Sequence, residues 1–119
     1  MAKPKPVYLH VLGRRYELVP YESDNNIGEV SHWDHQVFIN NDACIEEAVD
    51  CVIHELLHTV EAHLSAKIRE QDIKKLETVV VSMMRDNGVD LAPLERKIKL
   101  ARRRYKNAGI TVRSVPSED

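Results

Sequence analysis

Two histidines separated by three residues, with a glutamate directly after the first, are the side chains of this sequence best suited to chemistry: His54-Glu55-Leu56-Leu57-His58. On an α-helix each residue advances by about 100°, so with His54 at zero His58 falls at about 40° and Glu55 at about 100°. Both imidazoles then leave the helix on one side, a turn apart, and can close on a single ion. Glu55 beside them can take a proton from a water. A zinc ion lowers the pKa of such a water toward about 7 and polarises a carbonyl. The spacing therefore predicts a Zn2+ site with His54 and His58 as metal ligands, and peptide-bond hydrolysis with Glu55 as general base. The plainer alternative is a pair of solvated histidines. Against it, Val49, Val52, Ile53, Leu56, Leu57 and Val60 fall between about 160° and 300° on the same wheel, so the helix can bury its back while presenting both rings.

A catalytic zinc usually takes three protein ligands and leaves a fourth position open. Glu61 lies on the ligand face but farther along the same axis, where it does not converge with both histidines. A second helix running back from about residue 70 brings residue 77 level with residue 57, which makes Glu77 the expected third ligand. Glu70 takes its place if the hairpin is tighter, and Asp72 is the weakest of the three because its side chain is short and near the helix start. For the oxyanion of a tetrahedral intermediate, His63, Tyr21, Tyr105 and Arg85 are all conceivable. His32 and His35, flanking Trp33, could line a substrate edge or bind metal, but the plainer reading is two solvated residues of a polar turn.

The elements that must position these groups are legible from periodicity. Residues 7–21 carry two apolar runs around Gly13-Arg14-Arg15, as a hairpin would, and Ile27–Val30 and Gln36–Asn40 read as further strands. From Asp42 the apolar spacing changes to three and four, predicting a helix over 42–64 with Asn41 or Asp42 as N-cap. A stripe through Ile73, Leu76, Val80 and Met84 that stops at Asn87-Gly88 predicts a second helix over 70–86. The third, over 91–107, has Asp90 as N-cap and Pro93 in its first turn. The expected fold is α+β: a small N-terminal antiparallel or mixed sheet of three to four strands packed on about three helices. Residues 1–119 read as one domain, with 1–6 and 110–119 as loose ends.

Ile53 to Thr59, and Leu76-Glu77 through Met84-Arg85-Asp86-Asn87, carry a resemblance to the gluzincin-like minimal zinc metallopeptidases. Within these the chain resembles the small phage and mobile-element proteins related to the ImmA/IrrE type. The likeness covers about half the chain; its first motif is moderately specific and its second weak. It implies zinc bound by His54, His58 and Glu77, Glu55 as general base, and action on a single protein target such as a repressor. A metzincin pattern would require glycine at Glu61 and histidine at Leu64, and the sequence has neither.

Composition sets outer limits. At 119 residues, 43% hydrophobic and 30% charged, the chain is ordinary for a soluble globular domain. No apolar stretch approaches the roughly 18 residues of a membrane span, and the first residues lack a signal-peptide core, so a cytoplasmic protein without membrane contact is expected. Cys44 and Cys51, about 10 Å apart on one helix, are expected as free thiols. Charge is lopsided: nine basic against sixteen acidic residues in 1–90, but eight against three in 91–119. The excess lies on Arg96, Lys97, Lys99, Arg102, Arg103, Arg104 and Lys106, with only Tyr105 as an interleaved aromatic. That pattern argues against sequence-specific nucleic-acid readout and suits, at most, an acidic partner for helix 91–107. A solvated helix offsetting an acidic body is the plainer reading. Two functions follow. The first is a zinc endopeptidase of narrow specificity acting on a protein or peptide substrate, with the strand Gln36–Asn40 pairing to the extended substrate. The second is a catalytically inactive, zinc-stabilised module that uses the basic helix to bind a partner.

Overall fold

The computed structural model describes residues 4–22, 28–31 and 35–113; the expectations for His32, Trp33 and the ends of the chain beyond these bounds lie outside the described residues. Strand β1 (Tyr8–Val11) turns into β2 (Arg14–Tyr21) through Leu12-Gly13 alone. Both turn residues have positive φ, 49° and 78°, the mirror-image turn whose twist matches a two-residue hairpin and which glycine adopts without strain. Strands β3 (Gly28–Ser31) and β4 (Gln36–Asn40) follow, then helices α1 (Ile45–His63), α2 (Glu70–Asp86) and α3 (Ala92–Ala108). The protein is α+β, as expected.

The sheet is mixed, in the order β1-β2-β4-β3. β1 runs antiparallel to β2, β4 lies parallel to β2 with Leu18 opposite Val37, and β3 closes the far edge antiparallel to β4. This overturns the expectation that Gln36–Asn40 is an exposed strand. Val37, Phe38 and Ile39 are apolar on both faces and at most 2% exposed, the composition of an interior strand, whose backbone groups are taken by neighbours on both sides. The edges belong to β1 and β3.

One face of the sheet, through Leu9, Tyr16, Leu18, Val37 and Ile39, packs with Ala48, Val49, Val52 and Ile53 of α1 and with Ile98 and Ala101 of α3. Val19, Tyr21 and Phe38 form a second cluster with Tyr105. The helix ends follow local chemistry. The turn before α1 holds the chain out of the helix for longer than expected: Asn40 accepts from the Asp42 amide at 2.9 Å through its side chain and from the Ala43 amide through its carbonyl. The helix therefore starts after Cys44, without a side-chain cap. The N-cap of α3 is Leu91, not the expected Asp90, and it has no side-chain cap; Asp90, one residue earlier, accepts from the Ala92 amide at 2.9 Å and turns the chain into the helix. Gly109 ends α3 at φ 68°, its amide and that of Ile110 returning to the carbonyls of Lys106 and Tyr105.

Residues near both ends are tied down, against expectation. The Glu22 amide donates to the Val112 carbonyl at 2.8 Å, and Ile110 and Val112 pack on the second cluster. Arg104 donates to the Lys5 and Pro6 carbonyls at 3.3 Å. Short apolar side chains and one arginine suffice to hold backbone that has no regular structure.

Candidate metal centre

α1 presents His54 and His58 on its side facing α2, because Ala48, Val49, Val52 and Thr59 bind the opposite side into the core. The loop 64–69 is short, so α2 starts alongside the helix it has just left. Its first residue, Glu70, reaches both rings: one carboxylate oxygen lies 2.8 Å from His54 Nε2 and the other 2.8 Å from His58 Nε2. His54, His58 and Glu70 offer ligand atoms all within 4.8 Å of one another, a group that could hold a metal ion.

The structure places Glu77 elsewhere on the same ring. Its Oε1 accepts from His54 Nδ1 at 3.0 Å, on the side of the imidazole away from the Nε2 atoms. The pairing of Glu70 with His58, Glu77 with His54 and, at 3.4 Å, Arg85 with Asp50 confirms the antiparallel hairpin. Seven residues apart, Glu70 and Glu77 differ by only about 20° on α2, so both face α1. What separates them is which ring nitrogen each meets. Glu61, set aside on the sequence because it cannot converge with both histidines, has a different part: its Oε1 lies 3.4 Å from His58 Nδ1 while its Oε2 accepts from the Ile68 amide at 2.7 Å. It ties the α1–α2 loop to the second histidine. Asp72 is paired with Arg69 at 3.0 Å.

Proton counting tests whether a cation fits. All four ring nitrogens face carboxylate oxygens, and an ionised carboxylate only accepts. Two neutral imidazoles own one N–H each, so they can satisfy two of the four contacts. A metal ion at the two Nε2 atoms, with N–H kept at the two Nδ1 atoms, fills the deficit without charging either ring. It also reproduces the carboxylate–histidine support that fixes tautomer and orientation in metal sites. The donor set fits a metal ion.

Glu55 is buried, at 8% exposure, rather than lying on the open ligand side. α1 runs against the edge strand β3, and the Glu55 carbonyl accepts from the fully buried Thr59 Oγ1 at 3.0 Å. Cys51, one turn before Glu55, has its thiol pushed up to about 12, first by burial and then by the negative charge of Glu55, Glu77 and Asp50. The thiol is thereby held protonated and makes a poor nucleophile or ligand. Both cysteines are free, as expected.

The four oxyanion candidates are dispersed. Tyr21 and Tyr105 belong to the second cluster, away from the cluster that holds α1. Arg85 is taken up by Asp50, at the N-terminal side of the site. His63 Nε2 is 3.2 Å from the hydroxyl of Tyr16, a buried residue stacked on His35 with ring centroids 5.0 Å apart. Tyr16 on β2 had no sequence signal linking it to α1, since the contact spans 47 positions.

The basic helix is also reassigned in part. Lys97 donates to the Tyr8 carbonyl at 2.7 Å, and Arg102 to the Asn40 and Ala43 carbonyls at 2.9 Å each. With Arg104, three of the seven cations are tethers of the fold. Among the described residues no helix is long and apolar enough to cross a membrane. Comparison with family models, with curated proteins and with solved structures gives no match for the chain.

Proposed function

We propose that this protein is a zinc-dependent endopeptidase of narrow specificity. One observation carries the reading: the Nε2 atoms of His54 and His58 converge on a single carboxylate, Glu70, while their Nδ1 atoms are backed by Glu77 and Glu61. His54, His58 and Glu70 would hold the ion, a two-histidine, one-glutamate set of the kind that serves hydrolytic zinc. When bound, zinc supplies a Lewis acid that polarises the scissile carbonyl and acidifies a water.

The remaining chemistry belongs to the chain. Glu55 follows His54 directly, and its carboxylate takes the proton of the attacking water and returns it to the departing amine. Glu77 and Glu61 accept from the Nδ1 positions and hold the rings in place. The substrate strand, no longer assignable to Gln36–Asn40, would pair with the edge strand β3, which lies against α1. The resemblance to the ImmA/IrrE-type proteins supports a protein target. The test is metal analysis of the purified protein followed by incubation with a host-cell lysate, comparing wild type with Glu55→Gln by mass spectrometry. One zinc per chain in both, with fragments only from wild type, is expected; equal cleavage by both would remove Glu55 from the mechanism.

A further inference from the structure

A second concavity lies far from the metal group. β2 and β4 run parallel, so their carboxyl ends emerge side by side at Glu22 and Asn41. α3 passes beside them, and together they form an open cavity of about 360 Å³ lined by Glu22, Asn41, Arg102, Arg103, Lys106, Ile110 and Thr111. α1 begins at this end, and His58 is thirteen residues into it, about 20 Å along the axis. The two sites are separate.

The lining is unbalanced in charge. Three cations face one carboxylate, and that carboxylate, Glu22, already lies 3.8 Å from Arg113. Arg103 and Lys106 are exposed and have no carboxylate partner among the described residues. Arg102 is half-buried; its NH2 group is spent on the Asn40 and Ala43 carbonyls, while its buried Nε–H finds no acceptor among the described residues. A desolvated guanidinium with an unmet donor is costly, and the charge of Asp42, which lies near it without forming an ion pair, offsets that cost only in part. Asn41 and Thr111 add neutral donors at the rim.

We propose that this cavity binds a phosphomonoester dianion. The volume is that of a small-ligand site. Two free cations and a third, undercompensated one match a doubly charged group, whereas a single carboxylate would leave one cation unmatched. Arg103 supplies a planar fork for phosphate oxygens and Lys106 a point charge. Arg96 and Lys99, exposed two turns and one turn earlier on α3, lie outside the cavity and serve as an internal control.

The experiment follows amide chemical shifts and melting temperature of the full chain while titrating inorganic phosphate, glucose 6-phosphate and AMP, with acetate as the monoanion control. Wild type should show saturable shifts at Asn41 and Thr111 and a rise in melting temperature with phosphate but not acetate. The two esters distinguish a phosphorylated sugar from a nucleotide as the source, and inorganic phosphate alone acting would assign the free ion. The double variant Arg103→Ala, Lys106→Ala should lose affinity by at least about tenfold, since each charge-assisted hydrogen bond carries that much or more. Arg96→Ala, Lys99→Ala should bind as wild type. Equal losses in both double variants would reduce the effect to general electrostatics, and shifts confined to α1 and α2 would place phosphate at the metal group; either outcome overturns the proposal, as does the absence of saturation.

Discussion

Replacing Glu70 and Glu77 one at a time by glutamine separates a metal ligand from a group that orients one. In the structure Glu70 spans both Nε2 atoms at 2.8 Å, while Glu77 meets only His54 Nδ1 at 3.0 Å. Glu70→Gln removes one of the three proposed ligands and its negative charge, and zinc should be lost on dialysis. Glu77→Gln keeps an amide oxygen that still accepts from Nδ1–H but withdraws the charge that makes the ring a better donor to metal. Groups in that position typically carry 10–100-fold in metal affinity. Glu77 is 24% exposed, so solvent screens part of its charge and the loss should sit near the lower end, about tenfold, or about 1.4 kcal/mol. Competition against a chromophoric zinc chelator at pH 7 measures both. If Glu77→Gln abolished binding while Glu70→Gln bound as wild type, the two carboxylates would have exchanged roles and the assignment from ring nitrogens would be wrong.

Glu55→Gln should keep zinc content and melting temperature while lowering cleavage by about 10²- to 10⁴-fold, the usual worth of a general base; retained cleavage at equal zinc loading contradicts that role. Arg102→Glu should destabilise the fold by about 3 kcal/mol or more, since two charge-assisted bonds to backbone carbonyls are lost, whereas Arg103→Glu should cost under about 0.5 kcal/mol; denaturant titrations of the two variants would agree with each other if the tethers were unimportant. The Tyr105 hydroxyl is pushed up to about 12, first by burial and then by Glu17. Its folded pKa lies above its unfolded value near 10, so its contribution to stability is complete below pH 10 and is lost between pH 10 and 12. Tyr105→Phe should flatten alkaline unfolding in that window, and an unchanged pH profile would show that the hydroxyl is not the titrating group.

Helix phase made much of the site legible. His54 and His58 emerge together because Val49 and Val52 lie across the axis from them, and that relation needs only the period of 3.6 residues. The hairpin between α1 and α2 was equally readable from two amphipathic stripes and a short connection. The choice between Glu70 and Glu77 was not, because both lie on the same side of α2 and the outcome depends on which ring nitrogen each carboxylate meets. The sheet order shows another limit. Gln36–Asn40 has the composition of a strand buried on both faces, but its parallel pairing with β2 joins segments that do not follow one another, and that pairing has no local signal. The basic helix was misjudged for a similar reason: Arg102 and Arg103 are neighbours of the same type, and only the backbone carbonyls of Asn40 and Ala43 distinguish a tether from a free cation.

The division of labour between the helices bears on how the centre is held. α1 is fixed by six buried residues, from Ala48 to Thr59, and carries His54, His58 and Glu55 on a rigid frame. α2 buries only Ile73 and Val81, and leaves Leu76, Val79 and Met83 between 42% and 59% exposed. With so little apolar area removed from water, α2 is the more weakly anchored partner and belongs to the low end of local stability. Yet α2 supplies Glu70 and Glu77, and Glu61 holds the Ile68 amide at the loop between the two helices. Two of the three ligands of the proposed centre would therefore come from the anchored helix and one from the loose one. A cation bridging them would join α2 to the core through its first turn, converting binding energy into folding energy where burial alone supplies least.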